Sequence, residues 1–163
     1  MSSQAKRVLS VVTPVLDTNI YASGDRLGAI MEIKNAIPRQ GLNSKLLSLA
    51  VLDKAALGIA IDLLFFHSLP AVASADNAAI SITDAEMTKC IGAVTIATGD
   101  YKVILISGNH LATVRALELV LSNLEPDTSV NAKTSVWCVA VTRGGTPTYA
   151  ADSLQFTFGV EHD

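Results

Sequence analysis

Three histidines, His67, His110 and His162, are the side chains best suited to bind a metal ion or to transfer a proton, but they are far apart in the sequence. No HExxH motif, paired CxxC motif or EF-hand loop accompanies them. We expect each to be structural or solvent-facing, with His67 at the end of a strand and His162 in a frayed tail. The sequence therefore predicts no metal site and no cofactor.

The segment from Asp17 to Asp25 is rich in side-chain oxygens, as a calcium loop would be. It lacks the glycine and the terminal glutamate of a recognised calcium loop. Short polar side chains such as Asp17 and Asn19 commonly hydrogen-bond the backbone N–H groups that follow them. We therefore predict an Asx-type turn here.

Two further features contain residue types that occur in functional sites, but they lack the sequence pattern of such a site. Residues 143–146, Arg-Gly-Gly-Thr, precede no helix and lack the GxxxxGK[ST] pattern of a phosphate loop, so they predict a tight turn before Pro147.

Asp62 lies in an otherwise apolar segment, and alternation places it on the exposed face, opposite Ile61 and Leu63. A pair of carboxylates that act together needs only spatial proximity, which the sequence leaves open. We predict no catalytic residue and no enzyme activity.

Two cysteines, Cys90 and Cys138, allow one disulfide at most. Lys6 and Arg7 are followed by an apolar run that stops at Pro14, which is too short for a secretory signal. Without such a signal, a low cysteine count favours two reduced, buried thiols. Cys138 also lies in an apolar run, where a thiol acts as a small hydrophobic side chain.

The composition predicts a single domain, residues 1–163, whose apolar surface is partly covered by other subunits. Half of the residues are apolar and 17% are charged, against about 25% in an average globular domain, and the mean hydropathy is +0.41. The longest apolar stretch, residues 46–69, is interrupted by Asp53, Lys54, Asp62 and His67, so no membrane partner is predicted. We expect a homo-oligomer.

The net charge of −3 and the pI near 5.5 argue against nucleic-acid binding, which needs clustered basic residues.

Alternation of apolar and polar residues predicts an all-β fold, an antiparallel sandwich or barrel with one short helix. The last strand is the clearest case, because residues 154–160 are apolar at every second position. Residues 53–58 are expected to join two neighbouring strands as a hairpin. The helix is expected within residues 81–92, capped by Thr83 or Asp84 and ended by Gly92. The expected strands are 6–13, 27–34, 45–52, 58–66, 93–97, 101–107, 135–142 and 154–160.

Residues 110–124 fit two structures. Leucine and valine recur there at nearly helical spacing, which favours an amphipathic helix. The regular spacing of the surrounding strands favours another strand. The pattern alone leaves both open.

A resemblance to known proteins is dispersed over five parts of the chain: 16–25 with Leu27-Gly28, 62–66 with Ser68 and Pro70, 76–79, 82–86 and 140–149. Together these stretches resemble a widespread group of virion structural proteins of tailed bacteriophages. The resemblance implies a jelly-roll-like β-sandwich, a strand for residues 110–124, no active-site residue and no cofactor. Related chains tend to have a single glycine within 143–146, where this chain has two.

The resemblance also implies a capsid decoration or cement protein on the phage head surface, made in the host cytoplasm. Its partner would be the major capsid protein or another virion protein. From their expected exposure, we predict that a flexible arm (1–6) and the loops 17–25 and 143–149 make the contacts. Two alternatives remain: a head-fibre base or tail-associated adaptor, and a soluble carbohydrate-binding β-sandwich. The low aromatic content, 5%, and the position of Trp137 within a strand give the carbohydrate-binding alternative little support.

Overall fold

The computed structural model describes residues 6–104 and 108–162, and the described chain folds into two antiparallel sheets. The five-stranded sheet has the order β1-β9-β3-β7-β6, and the four-stranded sheet has the order β2-β8-β4-β5. The predicted all-β class with one short α-helix is therefore confirmed. The elements are β1 (Lys6–Val12), β2 (Met31–Ile33), β3 (Asn43–Asp53), β4 (Ile61–Phe66), α1 (Asp84–Met87), β5 (Cys90–Ile96), β6 (Tyr101–Val103), β7 (His110–Ser122), β8 (Val136–Thr142) and β9 (Leu154–His162).

The strands pair in a nested order. β1 pairs with β9, β2 with β8, β3 with β7, and β4 with β5, each time antiparallel. This is the order obtained when one long antiparallel ribbon is rolled into two facing sheets, the jelly roll. The short strand β6 is added at the edge beside β7. The expected jelly-roll-like sandwich is thus confirmed.

The main core lies between the sheets and follows from the alternation in the sequence. Leu154, Phe156, Phe158 and Val160 of β9 are all buried, as their spacing predicts. Phe158 packs edge-to-face against Phe65 of the other sheet, with ring centroids 6.0 Å apart. None of the helices in the described ranges is long and apolar enough to cross a membrane.

The ambiguous segment, residues 110–124, is mostly strand β7, and its near-helical spacing has a structural cause. The partner of β3 jumps from Arg115, opposite Ser48, to Leu119, opposite Leu46. Ala116 and Glu118, inside this jump, have left-handed φ angles of 55° and 48°. The irregularity moves the core-facing side from even to odd positions, which mimics a helical period. The core-facing residues are Ala112, Val114, Leu117, Leu119 and Leu121.

Three local predictions were wrong because long-range pairing outweighed the local pattern. Residues 53–58 do not form a hairpin: β3 and β4 lie in different sheets, and the link crosses between them. Gly92 does not end the helix, because the segment from Cys90 pairs with β4 as part of β5. The second strand is limited to β2, much shorter than the expected 27–34.

The two ends of the chain also differ from expectation. His162 is not in a frayed tail: it belongs to β9, is 8% exposed, and its Nε2 lies 2.9 Å from the carbonyl oxygen of Asn35. Lys6 already belongs to β1. The rest of the predicted arm, residues 1–5, lies outside the described residues, as do residues 105–107 of the predicted strand 101–107.

Candidate docking surfaces

The two loops predicted to contact a partner form one corner of the sandwich. The N–H of Tyr21 donates to the carbonyl oxygen of Pro147 at 2.9 Å, and Ile20 forms an isolated bridge with Thr148. The rings of Tyr21 and Tyr149 meet edge-to-face at 5.9 Å. Ile20 remains 66% exposed. The fold therefore joins loops 17–25 and 143–149 into a single surface.

The acidic side chains of this corner bind backbone groups. Asp17 Oδ1 accepts the N–H of Asn19 at 2.6 Å, which is the predicted Asx turn, and this hydrogen bond lowers the pKa of Asp17. Asp76 accepts the N–H of Asp17 at 2.6 Å, the N–H of Gly28 at 2.7 Å and the hydroxyl of Tyr21 at 2.9 Å. Burial, followed by this bond to Asp76, raises the pKa of Tyr21. The oxygens that resembled a calcium loop thus stabilise the loop itself.

The other predicted turn and Asp62 also have structural roles. Gly144 and Gly145 have φ angles of 126° and 63°, as a tight turn before Pro147 requires. The carboxylate of Asp62 forms an ion pair with Arg143 and accepts the hydroxyl of Thr95 at 2.7 Å.

The three histidines have separate surroundings. The Nδ1 of His67, just after β4, lies 3.1 Å from Ser68 Oγ, and burial, assisted by the charge of Lys89, lowers the pKa of His67. His110 packs against Tyr101, while His162 contacts Asn35. Within the described residues no group of His, Cys, Asp and Glu could hold a metal ion.

One cluster of titratable groups was missed at the sequence level. Asp53 and His110 are cross-strand partners at one end of the sandwich. Tyr101 and Tyr149 lie close enough for the negative charge of Asp53 to act, after burial, on their pKa values. Burial raises the pKa of both tyrosines. These residues are distant in sequence, and only the pairing of β3 with β7 brings the first two together.

The cluster has a structural explanation in the link that leaves β3. The buried carboxylate of Asp53 accepts the N–H groups of Ala55 at 2.9 Å and of Leu57 and Gly58 at 2.8 Å each. These bonds satisfy the backbone where the chain crosses from one sheet to the other. Asp53 therefore closes the end of the sandwich.

Both cysteines are free thiols, as predicted. Cys138 is buried in β8, and burial raises the pKa of its thiol well above the usual value. Cys90, in β5, is only partly buried, so the prediction of two buried thiols is wrong for Cys90.

The outer side of the four-stranded sheet is covered by the chain itself. A second apolar cluster there contains Phe66, Trp137, Val139 and Val141. We call residues 67–82 the cover, because its side chains pack on this cluster; they include Val72, Ile80 and Ile82. All seven residues of β8 are buried as a result, which explains why the sequence of β8 is apolar on both faces.

Three carboxylates hold the cover through its own residues. The N–H of Leu69 donates to Glu125 at 2.5 Å, and the N–H of Ala71 donates to Glu86 at 2.7 Å. Asp76, within the cover, binds the 17–28 region as described above.

The outer side of the five-stranded sheet is open. The register places Leu9 beside Gly159 and Gly159 beside Ser48. Leu9 is 73% exposed and Val11 is 56% exposed. A depression of about 430 Å³ lies on this side, and Leu9, Leu47 and Gly159 contribute to its lining. This surface consists largely of small and aliphatic residues that the chain does not bury.

Comparison with known proteins identifies no family. No protein-family model and no curated protein matches the chain. Among solved structures, a chain of Desmodium yellow mottle tymovirus aligns over 99% of this chain and 83% of its own length, with 10% identity and a TM-score of 0.28. A chain of the empty head of turnip yellow mosaic virus aligns over 99% and 82%, with 10% identity and a TM-score of 0.29. A chain from the structure of turnip yellow mosaic virus aligns over 98% and 94%, with 10% identity and a TM-score of 0.28. Similarity at this level carries no argument about function.

Proposed function

We propose that this chain is a structural protein of a bacteriophage particle, and that it decorates and cements the capsid. The observation that carries the proposal is the combination of a jelly roll with a sheet face that its own chain leaves uncovered. Contiguous exposed apolar surface of this kind usually marks a contact with another macromolecule. The tailed-phage resemblance of the sequence supports a contact on the virion.

The mechanism of a cement protein follows from surface burial. A copy bound across a seam between capsid subunits buries apolar surface on both sides, and separating the subunits would expose it again. Burial contributes about 25 cal/mol per Å², so a modest interface supplies several kcal/mol before the costs of association. Repetition over a closed shell multiplies the resistance to rupture.

Copy number tests the proposal. Particles purified on a density gradient would be digested, and peptides of this protein counted against those of the major capsid protein by mass spectrometry. Decoration predicts hundreds of copies per particle, whereas a head-fibre base or tail-associated adaptor, which follows the symmetry of a ring or vertex, predicts about a dozen. Absence from the particles would contradict both virion roles.

Mechanical function needs its own measurement. Particles assembled without this protein are expected to release their DNA at a lower temperature than complete particles. Equal release temperatures would contradict a cementing role and leave a different virion role.

The described residues expose little aromatic surface, so they give the carbohydrate-binding alternative no support. Sugar-binding clefts present aromatic faces to the ligand, but of the eight aromatic residues, all within the described part of the chain, seven are buried and Tyr101 is partly buried. We therefore do not adopt it.

A further inference from the structure

We propose that the outer side of the five-stranded sheet docks on an acidic surface of the capsid protein, and that an apolar side chain of that partner enters the depression beside Leu9. The inference rests on the proposed virion function and adds the docking face and the chemistry of the partner. We call this side the basic face. The residues that the register and the alternation place on it are Arg7, Leu9, Val11, Asn43, Lys45, Ser48, Ala50, Leu52, Lys102, Leu111, Thr113, Arg115, Glu118, Val120, Ser122, Gln155, Thr157, Gly159 and Glu161.

Charge is distributed unevenly between this face and the rest of the chain. The basic face carries four basic side chains and two acidic side chains, the exposed Glu118 and Glu161, of which Glu161 is paired with Arg7 at 2.9 Å. The rest of the chain then carries eight basic and thirteen acidic residues, from totals of 12 and 15. A face of net charge +2 thus belongs to a chain whose remainder is −5. Such separation steers the face towards an acidic partner.

The depression lies between two of these cations. Arg7 and Arg115 both contribute to its lining, and between them lie Leu9, Leu47 and Gly159. Leu47 is the residue at which the register of β3 shifts against its neighbours. A Cβ atom at position 159 would overlap Ser48 Oγ, so a side chain larger than that of Gly159 would have to displace this hydroxyl from the floor. The result is an apolar recess with a guanidinium group on two sides, which suits an apolar side chain flanked by carboxylates.

The same distribution argues against two other occupants. Two copies placed face to face would bring the basic residues of one against those of the other. Nucleic acid would meet a centre of aliphatic and small uncharged residues, and no residue that the register places on this face is aromatic, so bases would find no stacking platform. A protein surface with both acidic and apolar groups would complement the basic side chains and the apolar depression of this face.

The test measures rebinding of purified protein to particles assembled without it, by co-sedimentation over a range of salt concentrations. The variants are R115E, which reverses a charge on the basic face, and L9S, which removes the apolar side of the depression. The matched control is R39E, the same charge change at an exposed residue outside this face. All three sites are exposed, and thermal melting of each variant would verify folding.

We expect at least a tenfold loss of affinity for R115E and for L9S, less than twofold change for R39E, and weaker wild-type binding as salt rises. If the wild-type protein does not rebind, the proposed function and this inference both fail. If it rebinds and R115E and L9S bind equally well, the inference is overturned while the function stands.

Two further measurements would reassign the face. An oligomer of the purified protein that R115E dissociates in light scattering would make a second copy the occupant and overturn the inference. Binding of a DNA duplex that R115E abolishes while R39E retains it would make nucleic acid the occupant, with the same consequence.

Discussion

The outer sides of the two sheets both carry apolar side chains, but the chain itself covers only one of these sides. On the four-stranded sheet, Phe66 and Trp137 lie beneath the cover, so a second apolar layer forms within one chain. On the five-stranded sheet, Leu9 and Val11 remain exposed. The low charge content of this chain therefore has two separate explanations. Part of the apolar surplus fills an internal second layer, and part is left on an open face.

The two sides also differ in how polar groups are used. The cover is held by the carboxylates of Asp76, Glu86 and Glu125, which accept backbone N–H groups. On the open side Glu161 pairs with Arg7, and Glu118 is exposed. Acidic residues thus secure internal structure on one side, while basic residues predominate at the surface of the other.

Truncation of one large residue on each side should give the largest contrast. Trp137→Ala should lower the free energy of unfolding by about 3–5 kcal/mol, because it opens a cavity beneath the cover. Leu9→Ala, on the open side, should change it by less than about 0.5 kcal/mol. Urea unfolding followed by circular dichroism measures both. Similar losses for the two variants would mean that Leu9 is buried in solution.

Loss of a carboxylate that holds the cover should have an intermediate effect. Asp76→Asn places an amide N–H₂ or a single carbonyl oxygen where three donors converge. It should lower the free energy of unfolding by about 1–3 kcal/mol. Asp127→Asn is the control, since Asp127 is exposed. The comparison uses the same urea titration. Equal stability of the two variants would show that Asp76 does not hold the cover.

Acid should loosen the cover before it affects the open side. The hydrogen bond from Lys89, followed by that from Ala71, lowers the pKa of Glu86. Burial acts to raise the pKa of Glu125, but its hydrogen bonds, first that from Leu69, outweigh burial and lower it. Because these pKa values are lowered by folding, the stabilisation is complete above the unfolded value of about 4.3 and is lost as the pH falls through the folded values.

Trp137, the only tryptophan and a residue beneath the cover, reports this loosening. Acrylamide quenching of its fluorescence should increase as the pH falls below about 4. Glu125→Gln should make quenching stronger already at neutral pH, because the donor from Leu69 loses its charged acceptor. Quenching that stays constant until the whole protein unfolds would contradict a separately titrating cover.

Labelling of the two thiols should give the smallest of these effects, and it reports on one residue packed against each apolar cluster. Cys90 is partly buried and packs against the second cluster, whereas Cys138 lies in the main core with its pKa raised by burial. A disulfide reagent should therefore label Cys90 first and Cys138 only on unfolding. Cys90→Ser should remove the early labelling. Early labelling that persists in this variant would place Cys138 in a region that opens locally.

The accuracy of the sequence-level predictions depended on how local each feature is. The burial of alternate residues in β9 was predicted correctly, because alternation depends only on the geometry of one strand. The proposed hairpin between β3 and β4 was wrong, because membership of a sheet depends on partners distant in sequence. The spacing in β7 was ambiguous, because a register irregularity shifts its core-facing side.

The candidate surfaces follow the same rule. The loops 17–25 and 143–149 were predicted from their turn residues, and the fold then joined them. The basic face was not predicted, because β1, β3, β7 and β9 each contribute only a few of its residues. The basic residues look scattered along the chain and meet only across the paired strands.

The sequence by itself determined the all-β class, the apolar side of most strands and the turns, since each depends on residues close together in the chain. Tertiary structure alone decided which apolar side faces the main core, which lies beneath the cover and which stays open. The physical reason is that alternation records whether a strand face is apolar, whereas burial depends on what packs against that face. Strands β1 and β8 both carry apolar residues on both faces, but the outer face of β8 lies beneath residues 67–82, whereas Leu9 and Val11 of β1 stay exposed.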